Sequence, residues 1–270
     1  MKHVVVLKLG GELIESEQRL SAIGKAVKRA ATRVPLVIVH GGGREIDAAL
    51  QQVGIPKRQV DGLRVTDAET LNIVVSVLAG SINTKFVAAI NAAGGKAVGL
   101  TGADAGVAPV EKAAPHKATS GETVDLGMVG TPLKAAAFPQ VITTLCKAGY
   151  IPVIACIGAS KSGKLFNVNA DTLAGSLASR LKAKRLVIAG ATPGVLDKKQ
   201  KTIPKLDRER IEKLVKSGTA NAGMVAKLAA CQAALKGGAK NVAIVDGRAP
   251  GRLVKAVAGE KTSATTKVVN

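Results

Sequence analysis

Val4-Val5-Val6-Leu7-Lys8-Leu9-Gly10-Gly11 sets a pattern that Val37-Ile38-Val39-His40-Gly41-Gly42-Gly43 repeats. Each is an apolar, β-branched run without polar alternation. Each closes on glycines and is followed by a stretch with helical spacing. A strand apolar on both faces belongs in a parallel sheet covered on both sides. Similar runs at residues 3–9, 35–40, 96–100, 151–156, 185–189 and 241–245 read as buried strands. Between them, residues 21–31 place Ile23, Val27 and Ala30 on one stripe, and residues 44–53 follow the second glycine turn. Thr66-Asp67-Ala68-Glu69 has capping-box spacing ahead of an apolar run, with Asp67 as a second N-cap candidate. Further helices are expected over 134–148, 171–181, 207–216 and 224–235. This alternation predicts a three-layer α/β/α sandwich with a mostly parallel central sheet, two lobes in one rigid unit, divided as 1–175 and 176–270. Residues 106–131 break the pattern. They read as strands or flaps projecting from the sheet, with a hairpin at Val124-Asp125-Leu126-Gly127.

The chain has 270 residues, 47% of them hydrophobic, enough for a substantial core and too apolar for a disordered polycation. Lys and Arg number 39 against 19 Asp and Glu, a formal charge of +20. No Trp occurs, and the only aromatics are Tyr150, Phe86, Phe138 and Phe166. A base-stacking platform cannot be built from so few rings; a non-specific phosphate contact, which needs only Lys and Arg, stays open, but the charge is read in preference as a hydrated lysine-rich surface. Cys146, Cys156 and Cys231 lie far apart in apolar surroundings and read as buried reduced thiols of a cytoplasmic protein. No run approaches ~18 consecutive apolar residues, and the N-terminal run is too short for a signal peptide, so no membrane association is expected.

The glycine clusters after the first two strands are anion-site candidates, because ligands collect beyond the carboxyl ends of parallel strands. Tight strand-to-helix turns explain either cluster equally well. Gly158-Ala159-Ser160-Lys161-Ser162-Gly163-Lys164-Leu165 nearly spells a phosphate loop. Leu165 lacks the required hydroxyl, and extended residues follow where a helix should, so a basic hairpin is expected instead. Asn167-Val168-Asn169-Ala170-Asp171 puts two amides on one face ahead of a carboxylate at a helix start. An ordinary N-cap Asp at Asp171 would look the same. Lys227 falls about one turn into a helix beginning near Gly223 and Met224.

Taken in order from Lys8 to about Arg248, these segments resemble the acetylglutamate branch of the amino-acid kinase superfamily. Asp61-Gly62-Leu63-Arg64-Val65-Thr66-Asp67, Lys96-Ala97-Val98-Gly99-Leu100 and Val245-Asp246-Gly247-Arg248 belong to the same resemblance. It implies phosphorylation of the side-chain carboxylate of N-acetyl-L-glutamate by ATP, with Mg2+ carried mainly by the nucleotide. It further implies that Lys8 contacts the phosphoryl group in flight and Lys227 the leaving oxygen, with Asp171 holding both ammonium groups. Backbone N–H groups of Gly11 and Gly42 would face the transferring oxygens. Arg64 and Asn167 would bind the substrate with Gly41, Gly42 and Asn169, and Gly10, Gly223 and Met224 would join the lysines around the nucleotide.

Two departures stand out. Gly190-Ala191 occupies the place of a Thr-Asp or Ser-Asp pair, and Ala222-Gly223-Met224-Val225-Ala226-Lys227 replaces Gly-Gly-Met-Ile-Pro-Lys. The resemblance also implies a homodimer, insensitive to arginine because no long helix precedes His3. Two other readings keep the fold: a kinase acting on an amino acid borne by an acidic carrier protein, which the charge would attract, and a degenerate kinase serving as a basic binding protein.

Overall fold

Val5–Leu9 is buried at every position. In the computed structural model, which describes residues 4–134, 136–220 and 222–270, this strand (β1) lies within an eight-stranded sheet. Its other strands are Leu36–His40 (β2), Ala97–Thr101 (β3), Ile151–Ala155 (β4), Arg185–Gly190 (β5), Lys205–Leu206 (β6), Val242–Asp246 (β7) and Thr265–Val268 (β8). The spatial order is β6-β8-β7-β5-β1-β2-β4-β3, parallel throughout except between β7 and β8. Glu17–Ala31 (α1), Gly43–Gln52 (α2), Ala68–Ala92 (α3), Gln140–Lys147 (α4), Ala170–Arg180 (α5), Arg208–Lys216 (α6), Ala222–Lys236 (α7) and Pro250–Ala258 (α8) complete the sandwich. On one side α1 packs on α3 and α8; α5 packs on α7. The expected division at 175/176 falls inside α5.

The sheet's topology places the site. From β1 the chain turns one way to β2, and from β5 the other way to β7. The crevice at such a switch point opens between the carboxyl ends of β1 and β5.

Several expectations shift. The strand foreseen at 96–100 is an edge, with Gly99 exposed and only Ala97 buried. His3 lies outside the described residues. The short strands β6 and β8 carry no apolar run; in β8, Thr266 is buried because its hydroxyl donates to Ile203 O and accepts from Val195 N. The helix expected over 134–148 starts at Gln140, since Pro139 has no N–H to give and its ring pushes the preceding residue out of helical conformation. Asp67 caps α3 by accepting from Thr70 N, whereas Thr66 is fully buried. The flap is built from Val110–Lys112 against Gly130–Pro132 and His116–Lys117 against Thr123–Val124. Its turn therefore precedes Val124 instead of following it. The near-phosphate-loop is a hairpin, Ile157–Ala159 against Leu165–Asn167.

α3 is 25 residues long and apolar enough, by length and composition, to cross a membrane. Here Val74, Leu78, Ile82, Phe86 and Ile90 are buried in the core. Its centre, Ser76–Ile82, is π-helical and delivers Asn83 to a buried contact: Asn83 Nδ2 donates to His40 Nε2 (2.9 Å) and Val153 O (3.0 Å). His40 Nδ1 in turn donates to Gly41 O at 3.2 Å. With both ring nitrogens assigned in this way the ring is neutral, and burial lowers its pKa to about 4. The unfolded chain takes up this proton near pH 6.5, the folded one only near 4, so stability falls as the pH drops across that window. The loss is roughly 3 kcal/mol at about 1.36 kcal/mol per unit. Urea titrations between pH 7 and 4 should show it in the wild type and not in His40→Gln.

Candidate active site

Lys8 sits on β1 and is buried, a position tolerable only with a partner. That partner is Asp171, whose Oδ1 lies 2.9 Å from Lys8 Nζ. Its Oδ2 lies 3.5 Å from Lys227 Nζ. One carboxylate thus holds two ammonium groups from segments 219 positions apart in the chain. Burial pushes the Asp171 carboxyl up, but the two lysines outweigh it and hold it below the usual carboxylate range. Asp171 stands at the second position of α5, and Asn169 is the N-cap: its Oδ1 accepts from Asp171 N (2.9 Å) and Thr172 N (3.1 Å). Much of what the resemblance would ask of Asn169 as a ligand is thereby committed to capping.

The two glycine turns press together. A side chain on Gly11 would begin 3.3 Å from the Gly42 Cα, and any side chain on Gly42 would collide with Ile82. Gly10 N donates to Ala189 O at 2.9 Å, continuing the sheet, so it is not available to an anion. Among the described residues the N–H groups of Gly11 and Gly42 donate to no protein acceptor. Glu45, in the first turn of α2, presents a buried Oε2 without a partner among the described residues, and burial raises its pKa.

A cavity of about 230 Å³ collects these groups: Lys8, Gly10, Gly11, Gly41, Gly42, Arg64, Asn167, Asn169 and Asp171 all line it. Arg64 is buried and held by Asp47 of α2 and by Gly43 O (3.2 Å), while its Nη1 has no partner among the described residues. Asp47 stays below the usual carboxylate range because hydrogen bonds from Lys57 and Arg64 outweigh its partial burial. Asn167 Nδ2 donates to Thr66 Oγ1 at 3.2 Å. Rim and flap are tied by Asp61, which accepts from Thr119 Oγ1 (2.7 Å), His116 Nε2 (2.8 Å) and Thr119 N (3.0 Å). A second cavity of about 410 Å³ lies in the C-terminal part, lined by Thr192, Val195, Leu196, Ser217, Thr219 and Met224 among others. Gly223 precedes it, its carbonyl 3.4 Å from Lys227 Nζ.

The sequence points to both lysines that pair with Asp171 and to Met224 in the second cavity, but not to Asp47, Glu12 or the rest of that cavity's wall. Asp47 follows the glycine turn at a one-turn spacing and could have been noticed as a partner for Arg64. Apart from Met224 in α7, the wall of the second cavity comes from connecting segments without a pattern.

Residues 3–246 match the amino acid kinase family. The chain belongs to that family. Among its relatives, the acetylglutamate kinase of Rhodopseudomonas palustris (strain BisB18) is 42% identical over 92% of this chain and 85% of its own length. That of Nitrobacter winogradskyi is 43% identical with the same coverage. Carbamate kinase from Giardia shares the fold at a TM-score of 0.69 and 15% identity, over 100% of this chain and 99% of that one. N-acetylglutamate synthase from Neisseria gonorrhoeae matches at a TM-score of 0.82 and 22% identity. The alignment covers 99% of this chain but only 59% of the synthase, so the amino acid kinase fold is one part of that longer protein.

Proposed function

We propose that the chain transfers the γ-phosphoryl group of ATP to the side-chain carboxylate of N-acetyl-L-glutamate, as an acetylglutamate kinase of arginine biosynthesis. The observation that carries this reading is the convergence of Lys8 and Lys227 on Asp171 at the head of a glycine-lined cleft. Identity near 42% to acetylglutamate kinases along most of their length supports the choice of substrate.

A carboxylate needs no proton removed before it attacks phosphorus, so the residues here need only neutralise charge where two anions meet. The substrate oxygen forms a bond to the γ-phosphorus while the bond to the bridging oxygen breaks, its electron pair leaving with ADP. Lys8 meets the phosphoryl group and Lys227 the departing oxygen. Asp171 fixes both without taking a proton, its own carboxyl being held anionic. The N–H groups of Gly11 and Gly42 supply further donors. The amino acid occupies the first lobe, its α-carboxylate on Arg64 Nη1 and Asn167; the adenosine occupies the second, in the cavity bounded by Met224. Among the described residues no three His, Cys, Asp or Glu side chains are grouped to cage a metal. The hard oxygen donors of Glu12 at the crevice, with those of Asp171 already committed to the two lysines, suit an ion that keeps its waters and arrives on phosphates, as Mg2+ does. Bound there, Mg2+ would screen the phosphate charge.

The open edge at β3 beside the half-exposed apolar helix α3 supports a homodimer. Three cysteines, all unpaired and buried, fit a reducing cytoplasm. ADP release coupled to an indicator enzyme, with ATP, Mg2+ and a panel of N-acetylated and free amino acids, tests the reading. Turnover of free N-acetyl-L-glutamate is expected; a requirement for an acidic carrier protein, which the +20 charge would favour, would replace it. In the same assay Arg64→Ala should raise KM for N-acetyl-L-glutamate by about 10-fold or more, with a much smaller change in kcat, because its contact is remote from phosphorus.

A further inference from the structure

Glu12 follows the first glycine turn, in the 3₁₀ turn Gly11–Leu13, and has no place in the mechanism above beyond its oxygen donors. Its carboxylate crosses the crevice between β1 and β5: Oε1 accepts from Ala191 N at 3.0 Å. The same oxygen lies 3.1 Å from the point where a side chain on Gly190 would begin, and Lys227 Cε lies 4.0 Å from that point. Its main chain is held by Arg19, whose Nη1 donates to Glu12 O at 2.8 Å. The carboxylate therefore stands at the junction of the two lobes, a short way from the lysine that faces the leaving oxygen.

What makes the position unusual is the missing cation. In a chain with 39 Lys and Arg, no basic side chain among the described residues comes within salt-bridge reach of Glu12. Lys227 is near but turns its Nζ to Asp171. Arg19 and Arg44 pair with Glu15. An uncompensated carboxylate facing the path of a triphosphate repels it unless a cation comes between. Magnesium ions at phosphate-transfer sites are commonly held by one or two carboxylates together with the phosphates themselves.

We infer that Glu12 is the protein's contact to the divalent cation of the bound nucleotide, a positioning residue that makes this crevice accept the magnesium complex over the bare anion. The inference rests on the nucleotide lying at the crevice, as proposed above. It gives Glu12 opposite effects with and without metal, which a purely structural tie between the two loops does not.

The test is calorimetric titration of the whole protein with ADP, in Mg2+ and in EDTA, for wild type and Glu12→Gln. The amide is isosteric and still accepts from Ala191 N, and melting temperatures check that the fold is kept. For the wild type, Mg2+ should tighten ADP binding by about 10-fold, within the usual range of coupling between two ligands. In Glu12→Gln that gain should shrink to about twofold or less, and metal-free ADP should bind more tightly than to the wild type, since the repulsion is gone. An unchanged Mg2+ gain in Glu12→Gln would overturn the inference and leave Glu12 as a tie between loops. Absence of saturable ADP binding by the wild type under either condition would instead overturn the nucleotide assignment beneath it.

Discussion

Lys227→Ala lowers kcat by about 10²-fold or more, the effect of withdrawing one charge-stabilising donor from a transition state. The variant keeps its fold, because Lys227 is the more exposed of the two lysines and Asp171 retains Lys8 at 2.9 Å. Lys8→Ala loses at least as much activity, but differs in stability. It removes the nearer of the two cations from a buried carboxylate and leaves Lys227 at 3.5 Å as the only one. Steady-state kinetics beside thermal melts separate the two variants: both lose turnover, and only Lys8→Ala melts markedly lower. Near-normal kcat in both would remove the catalytic role of the pair.

Asp171→Asn carries the second large effect. The amide keeps the shape and drops the charge, so two ammonium groups that shared a carboxylate now face each other, one of them buried. Breaking a buried pair in this way costs about 3–5 kcal/mol. For a chain of this size that lowers Tm by roughly 10 °C. The pH dependence gives a separate check. The folded carboxyl is held below its ordinary range by Lys8 and Lys227, so its contribution is complete above the ordinary carboxylate pKa and is lost as the pH falls toward the lower folded value. Acid denaturation of the wild type includes this loss; that of Asp171→Asn does not. Equal acid sensitivity in the two proteins would mean that Asp171 is not held anionic by its neighbours.

Much of this architecture is legible in the chain because a parallel sheet covered on both faces writes itself as unbroken apolar runs. β1, β2, β4 and β5 are such runs, and their ends fall within a residue or two of the pattern. β3 misleads because an edge strand in this fold still carries Val98 and Leu100. β6 and β8 escape because their burial is secured by pairing and by the Thr266 hydroxyl, not by apolar side chains. The site divides along the same line. Lys8, the glycine turns and Asp171 sit where a strand ends or a helix begins, so local sequence fixes their place. Asn169 shows the limit: the pattern offers Asp171 as the cap, but the helix starts one residue before it, and the hydrogen bonds from Asp171 N and Thr172 N assign the cap to the Asn169 Oδ1. Glu12 is invisible from sequence because its significance comes from Ala191, across the crevice and far along the chain.

The central chemical claim is that phosphate passes to a carboxylate oxygen of the amino acid. Incubation with ATP, Mg2+, N-acetyl-L-glutamate and hydroxylamine tests it, because hydroxylamine captures acyl phosphates as hydroxamates. Hydroxamate should accumulate in step with ADP, one for one, and only when the acetylated amino acid is present. ADP formed without hydroxamate, or at the same rate when N-acetyl-L-glutamate is omitted, would contradict it.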